Sequence, residues 1–307
     1  KDRKLFNYPK NPDRVEKNRS ATISLLIGTI FWGMTFVLIK EATSSLNLYN
    51  FLSYRFLIAA AILALMFITR FKKFNLVTLK YGLLLSIPLS IGYITQTIGL
   101  QYTTASKAAF ITGLSVVLVP IILAAINKAI PKINHICAAI LATIGLGLLT
   151  LSESFILNIG DIWALACAIA FAAYIIMVGK YTKNQDSILL TFVQLSSVAI
   201  ITGAISLISG GFEAPKGRIV WQAILFCSIF ATSFMYAVQN HYQKYISEVK
   251  AAIIFSFEPL FAAMTAYFYI HEQLTSRIIL GGVLIFAGMI VSEAKLSTSK
   301  KPAAMTF

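Results

Sequence analysis

Glu258 and Pro259 stand side by side inside a long apolar segment, residues 249–270. If this segment is a helix that crosses a bilayer, Glu258 lies about 14 Å from its start, close to the midplane. A charged group at that depth costs about 2.5–3.5 kcal/mol on insertion scales, so the side chain should face the protein interior or a cavity. Pro259 lacks a backbone N–H, which frees the carbonyl of Phe255 and favours a kink. Two interpretations stay open: a proton carrier or partner for a cationic ligand, or a structural carboxyl capped by a neighbouring helix.

Aromatic and amide side chains give several other apolar segments a polar character. Tyr93 and Gln96 are three residues apart, which places them on one helix face, and Tyr236 and Gln239 repeat that spacing. We expect residues of this kind to line a central cavity. The alternative is that the amides only bridge helices by hydrogen bonds. The candidates for the cavity are Trp32, Tyr93, Gln96, Tyr174, Gln194, Tyr236, Gln239, Asn240 and Glu258.

Four further residues are candidates for structural or gating roles. Arg55 stands about five residues inside an apolar segment, where it could extend its charge to the interface or contact an acidic partner such as Asp161. An anionic group of a ligand is the remaining option. Pro88 and Pro120 interrupt apolar segments and predict kinks that could serve gating, and Pro259 belongs to the same group.

Enzyme chemistry has little support in the sequence. It contains no His-Glu-x-x-His, no Gly-x-Ser-x-Gly, no nucleotide-binding loop and no paired carboxylates deep in the apolar segments. The three cysteines lie in apolar runs at long spacings, and the three histidines form no ligand cluster. We therefore expect no enzymatic activity, no metal and no cofactor, with an intramembrane enzyme or a membrane scaffold as distant alternatives.

The composition predicts that the elements carrying these residues are membrane helices. The chain is 58% hydrophobic and only 12% charged, about half the charged share of soluble domains. Ten apolar runs are long enough, or nearly so, to cross a bilayer as helices. They are 21–39, 49–69, 79–98, 106–126, 133–151, 161–178, 188–208, 220–240, 249–270 and 278–291.

The net charge of +14 predicts orientation rather than nucleic-acid binding, because the basic residues lie in the links and tails. With the N-terminus in the cytoplasm, inner segments carry 20 Lys and Arg residues and outer segments carry five. Cytoplasmic segments are enriched in these residues, so both termini are expected to be cytoplasmic.

The second half of the chain repeats the first at a shift of 143 residues. Within the seventeen positions 93–109, six residues recur after the shift: Tyr93, Gln96, Tyr102, Lys107, Ala108 and Ala109. Each copy has five apolar runs, an odd number, so the second copy should be inverted in the membrane. The predicted fold is an all-α integral membrane protein whose ten transmembrane helices form two inverted five-helix repeats. The expected units are a flexible basic tail over 1–20, repeats over 21–152 and 153–294, and a tail over 295–307.

Small residues predict close helix packing. Ala138, Ala142 and Gly145 lie on one face of the fifth run, and Gly281 and Gly288 repeat the first and last of these positions on the tenth. Such spacing lets two helices approach closely in a membrane, so we interpret these residues as scaffold.

Short motifs in four helices resemble those of one known family. They are Trp32-Gly33-Met34-Thr35-Phe36, Arg55-Phe56-Leu57-Ile58-Ala59-Ala60, the stretch from Gln101 to Phe110, and Glu258-Pro259-Leu260-Phe261 with His271-Glu272. Together, in this order, they are similar to the EamA-type permeases of the drug/metabolite transporter superfamily. The chain departs from a symmetric pattern at Ser115-Val116, where the second copy has Glu258-Pro259.

This resemblance implies a secondary active transporter that moves a small organic metabolite or drug-like solute by alternating access. Export is the direction it favours, with proton coupling through Glu258 as an extension. A metabolite importer or exchanger is the alternative. The expected location is the inner membrane of a bacterium, and the expected partners are the lipid bilayer, a small-molecule solute and protons. We expect no nucleic-acid partner, and the oligomeric state stays open.

Overall fold

The structure, a computed structural model, describes residues 12–103, 105–128, 130–150, 158–270 and 275–293. These residues form helices, turns and short loops, without a β-strand in any of the five ranges. The helices are α1 (Pro12–Gly33), α2 (Thr35–Ala42), α3 (Leu48–Met66), α4 (Leu76–Tyr102), α5 (Ala105–Gly113), α6 (Ser115–Asn127), α7 (Ile133–Thr150), α8 (Ile159–Tyr181), α9 (Ser187–Ile208), α10 (Arg218–Phe226), α11 (Met235–Tyr242), α12 (Glu248–Phe255), α13 (Glu258–Ile270) and α14 (Ser276–Glu293). A π-helical segment, Cys227–Phe234, joins α10 to α11, and short 3-10 turns cover Ile68–Lys73 and Gln243–Tyr245.

Seven helical spans are long and apolar enough to cross a membrane, and two shorter apolar helices accompany them. The predicted run 249–270 is instead divided into α12 and α13. The all-helical membrane fold is thus confirmed, while the count of ten spans stays a prediction. The expected tail differs from the structure over 12–20, because α1 begins at Pro12. Proline suits the first position of a helix, where its missing N–H costs nothing. Residues 1–11 and 294–307 lie outside the described ranges.

Polar residues at the starts of the helices explain where the apolar segments become helical. The Asn75 side chain accepts a hydrogen bond from the Thr78 N–H at 2.8 Å, which caps α4. At the start of α8, Asn158 and Asp161 form a reciprocal capping box. Caps of this kind satisfy backbone N–H groups that would otherwise lack partners at a helix end.

Helices α7 and α14 pack closely and run antiparallel. A Cβ atom added to Gly145 would lie 2.6 Å from the Gly281 carbonyl oxygen. One added to Gly288 would lie 2.9 Å from the carbonyl oxygen of Ala138. These are the small residues for which the sequence predicts a packing role, and the backbone contact explains why side chains are excluded there.

Helices α3 and α9 form a second antiparallel pair, joined by polar contacts. Ser53 donates a hydrogen bond to the Ala199 carbonyl at 3.3 Å. Further along, the Ser206 hydroxyl donates to the amide oxygen of Asn50. Because residue 50 meets 206 while residue 53 meets 199, the two helices point in opposite directions.

Several helices are interrupted near their middle, and the interruptions recur in the two halves. Leu114 separates α5 from α6, and Ser256 with Phe257 separates α12 from α13. Adding 143 to the bounds of α6 and α7 yields 258–270 and 276–293, the bounds of α13 and α14. Pro88 and Pro120, by contrast, lie within helices that are assigned as continuous.

The outer surface of the bundle is strongly apolar. Leu65, Leu76 and Ile208 are 75%, 81% and 87% exposed, and many other leucines and isoleucines are at least one-third exposed. A soluble monomer rarely presents so much contiguous apolar surface. In a bilayer these side chains contact lipid tails, which explains why they stand on the outside.

Candidate functional site

A cavity lies between helices of both halves of the chain. It has a volume of about 50 Å³, room for roughly three or four water molecules. Seven of the nine predicted cavity residues line it: Trp32, Tyr93, Gln96, Tyr174, Tyr236, Gln239 and Glu258. Arg55 and Pro259, expected as structural or gating residues, line it as well.

Arg55 is buried in the wall of this cavity, with 1% of its surface exposed. Its Nε atom donates to the Thr232 hydroxyl at 2.8 Å, and Nη2 donates to the Tyr93 hydroxyl at 3.3 Å. The guanidinium carbon also stands 4.7 Å from the centre of the Tyr93 ring, within cation–π distance. The hypotheses of a side chain extended to the interface or paired with Asp161 are therefore wrong. Asp161 instead caps α8 and accepts a hydrogen bond from Thr103 at 3.0 Å.

The hydroxyls of two equivalent tyrosines meet in the cavity wall. Tyr236 donates to Tyr93 at 2.8 Å, and their rings are 6.2 Å apart in an edge-to-face arrangement. Tyr174 packs against Tyr236 at 5.8 Å. A chain of polar contacts thus runs from Thr232 through Arg55 and Tyr93 to Tyr236, with several aromatic rings beside it.

Glu258 is the first residue of α13 and lines the same cavity. It is partly rather than fully buried. Within the part of the chain that the structure describes, no hydrogen bond or ion pair joins its carboxylate. The backbone around it is tightly packed, since a Cβ atom added to Gly33 of α1 would lie 2.7 Å from the Glu258 carbonyl oxygen. The interpretation of Glu258 as a carboxyl capped by a neighbouring helix has no contact to support it.

Trp32 connects the cavity to the π-helical segment. Its indole Nε1 donates to the Ala231 carbonyl at 2.8 Å, and its ring packs against Tyr236 and Phe255. A π-turn shifts the backbone hydrogen bonds by one residue, which leaves carbonyl groups available to side chains. The π-helical segment also carries Thr232, the partner of Arg55.

Gln194 and Asn240 are buried but do not line the cavity. Gln194 accepts a hydrogen bond from the Tyr174 hydroxyl at 2.7 Å, linking α9 to α8. Asn240 donates to the Thr191 hydroxyl at 2.8 Å, linking α11 to α9. For these two residues the geometry favours the alternative interpretation, amides that bridge helices.

Sequence reasoning missed several residues of the cavity wall, among them Ile175, Thr112, Ser115, Phe255 and Phe171. The 143-residue repeat could have indicated two of them, because their equivalents were already candidates. Ile175 lies 143 positions after Trp32, and Ser115 lies 143 positions before Glu258. Pro88 is buried within α4 away from the cavity, and Pro120 borders an apolar groove between α6 and α7. The motif residues His271 and Glu272 fall outside the described ranges.

Comparison with known proteins agrees with this arrangement. The EamA-like transporter family matches residues 19–151 and again residues 158–293. An uncharacterized transporter of Archaeoglobus fulgidus is 32% identical over 283 residues, which cover 91% of this chain and 88% of the relative. The uncharacterized transporter YoaV of Bacillus subtilis is 26% identical over 300 residues, 91% of this chain and 98% of the relative.

A solved crystal structure shares the fold. It superposes with a TM-score of 0.73 at 16% sequence identity and covers 89% of this chain and 97% of its own. Because one family matches the chain twice and the relatives match it over nearly their whole length, the chain belongs to the EamA-like transporter family.

Proposed function

We propose that this integral membrane transporter is a secondary active exporter of a small organic solute. It works by alternating access between two inverted five-helix halves, and the site of transport is the cavity that contains Glu258. The observation that carries the proposal is the cavity itself. It is lined by residues of both halves and includes a carboxylate that no described residue pairs with.

A two-fold relation between the halves is supported by residues that lie 143 positions apart. Five such pairs line the cavity: 32 with 175, 93 with 236, 96 with 239, 112 with 255, and 115 with 258. Tyr93 and Tyr236 even bond to each other. Two equivalent residues can contact one another directly only near the axis that relates them, so the axis passes through the cavity.

Inversion of the halves is supported by the antiparallel pairs. Helices α7 and α14 are equivalent under the shift, and so are α3 and α9, yet each pair runs in opposite directions. A two-fold axis in the membrane plane accounts for these opposite directions. With five spans in each half, ten in all, both ends of the chain lie on the same side of the membrane. Inverted halves can exchange conformations, which opens one central site to each face in turn.

The inversion is tested by labelling single cysteines. Ser44, in the loop after α2, and Asn184, in the loop before α9, are both exposed. In a chain whose three native cysteines are replaced, Ser44→Cys should react with an impermeant thiol reagent from outside, and Asn184→Cys only after the cell is opened. Reaction of both from one side would overturn the inverted arrangement.

Transport is tested in proteoliposomes by counterflow. Solutes that raise the melting temperature of the detergent-purified protein are selected first, because binding to the folded state stabilises it. Liposomes loaded with such a solute should then accumulate the labelled form transiently, and liposomes without protein should not. If no stabilising solute shows counterflow, the proposal of transport through this cavity fails.

Coupling to protons would use Glu258, because its carboxyl lines a cavity with room for only a few water molecules and changes its charge when it takes up a proton. An imposed pH gradient should drive the solute identified by counterflow. The direction of that flux distinguishes an exporter from an importer or exchanger.

A further inference from the structure

We propose that Arg55 binds an acidic group of the transported solute, and that the solutes are therefore organic monoanions with an apolar or aromatic body. This inference rests on the proposed function, because it takes the cavity to be the transport site. It adds the chemical class of the solute and the residue that selects it.

The bonding of Arg55 is incomplete. Two of its nitrogens have partners, Thr232 and Tyr93, but Nη1 is buried without a hydrogen-bond partner among the described residues. A guanidinium is always charged and has five N–H donors. A buried donor without an acceptor is costly, and the cost is greater for a charged group. An acceptor supplied by a solute would remove this cost.

The guanidinium of Arg55 is held in one orientation. Thr232 and Tyr93 fix its orientation, and the rings of Tyr93 and Phe56 lie 4.7 Å and 5.5 Å from its central carbon. A preorganised donor loses little conformational freedom when a ligand binds. Carboxylates form short, charge-assisted hydrogen bonds with arginine, so a carboxylate is the acceptor that suits the free nitrogen best.

Aromatic side chains make up a large part of the remaining cavity wall. Six aromatic side chains surround the cavity: Trp32, Tyr93, Phe171, Tyr174, Tyr236 and Phe255. Aromatic walls favour a flat or apolar body over a strongly hydrated one. These walls suit a solute that is acidic at one end and mainly apolar over the rest. Because the cavity of about 50 Å³ is smaller than such a solute, the solute binds when the helices separate and open the site to one face of the membrane.

Glu258 lines the same cavity, and its charge allows an acidic solute to be distinguished from a basic one. An ionised Glu258 repels a solute carboxylate and attracts a solute ammonium. Glu258→Gln keeps the size of the side chain and removes the charge. The substitution should tighten the binding of an acid and weaken the binding of an amine, so the two solute classes give results of opposite sign.

The test uses the full chain, purified in detergent, and three probes of similar shape: phenylacetate, phenylacetamide and 2-phenylethylamine. Phenylacetate should raise the melting temperature in a concentration-dependent way, with an apparent affinity about tenfold or more above that of the amide. Glu258→Gln should tighten its binding by about tenfold. Arg55→Gln should abolish the preference for the acid, and Arg55→Lys should restore it only in part because lysine lacks the planar fork.

Stabilisation by the amine alone, or equally by the acid and the amide, would overturn the assignment. So would weaker phenylacetate binding in Glu258→Gln. If the Arg55 variants do not fold, the three probes on the native chain and on Glu258→Gln still decide the matter. Counterflow of an amine without any effect of acids would remove this inference and leave the proposed function standing, whereas loss of all counterflow would remove the proposed function.

Discussion

The regions 19–151 and 158–293 match the same family and contain corresponding helices, but they contribute different charges to the cavity. Arg55 comes from the first region, and position 198, its equivalent, is a buried valine. Glu258 comes from the second region, and its equivalent at position 115 is a serine. Residues that shape the frame, such as Tyr93 and Tyr236, are the same in both. Two regions that match the same family can therefore surround a site whose charges are not symmetric.

The two regions also differ in their backbone at equivalent positions. Pro88 lies within α4, which is assigned as a regular helix, whereas its equivalent, Ala231, belongs to the π-helical segment. The π-helical segment offers the Ala231 carbonyl to Trp32 and the Thr232 hydroxyl to Arg55. Only one copy thus has the backbone that supports Arg55, which agrees with only one copy having the arginine.

The largest effect is expected at Glu258. We expect Glu258→Gln to reduce pH-driven transport in proteoliposomes to the level of liposomes without protein, because glutamine cannot take up or release a proton. The matched control is Ser115→Ala at the equivalent position, which should keep most of the pH-driven flux. Full activity of the Glu258 variant would show that the charge asymmetry between the two regions does not serve coupling.

The close contact of α7 with α14 should be sensitive to substitution on either helix. Gly145→Ala and Gly288→Ala place a methyl group against a backbone carbonyl that cannot move easily, and each should lower stability by about 1–3 kcal/mol. Thermal unfolding in detergent measures the loss. Gly203→Ala is the control, since its new methyl group would meet only the Ser53 side chain, whose hydroxyl oxygen would be 3.1 Å away. Losses no greater than that of Gly203→Ala would contradict the close backbone contact between α7 and α14.

Tyr93 and Tyr236 occupy equivalent positions, but only Tyr93 bonds to Arg55. Tyr93→Phe and Tyr236→Phe both remove the bond between the two hydroxyls, but only the first also removes an acceptor from Arg55. We therefore expect Tyr93→Phe to be the more destabilising by about 1 kcal/mol in the same unfolding measurement. Equal losses would indicate that Tyr93 does not support the guanidinium.

The smallest effect is expected at Trp32. Trp32→Phe removes the indole donor from the Ala231 carbonyl and should cost about 1 kcal/mol or less of stability. Trp221→Phe serves as control, because that ring is 40% exposed and its indole nitrogen has no partner among the described residues. A similar change in both variants would mean that the bond to the π-helical segment contributes nothing measurable.

Much of the helical arrangement could be predicted from the sequence, because it depends on the length of the apolar segments and on their repetition. Apolar length determines where a helix can cross lipid, and identical residues at a shift of 143 indicate the duplication without any structure. Seven of nine candidate cavity residues line the cavity because polar groups deep in a lipid-embedded helix are most stable when they face inward. The roles of these residues stay predictions until the experiments above are done.

The rest could not be predicted, because it depends on which helices become neighbours. The sequence alone allows Arg55 to reach the interface, whereas in the structure the π-helical segment and α4 enclose it. Gln194 and Asn240 have the same chemistry as Gln96, and only the packing of α9 against α8 and α11 turns them away from the cavity.

By itself, the sequence determined that this chain is a bundle of membrane helices whose second half resembles the first, because hydrophobic length and repetition are properties of the chain read in order. Only the tertiary structure decided that Arg55, Glu258 and the two tyrosines share one small cavity. A cavity is the space left between helices that are distant in sequence, so its shape and charge arise only when those helices pack.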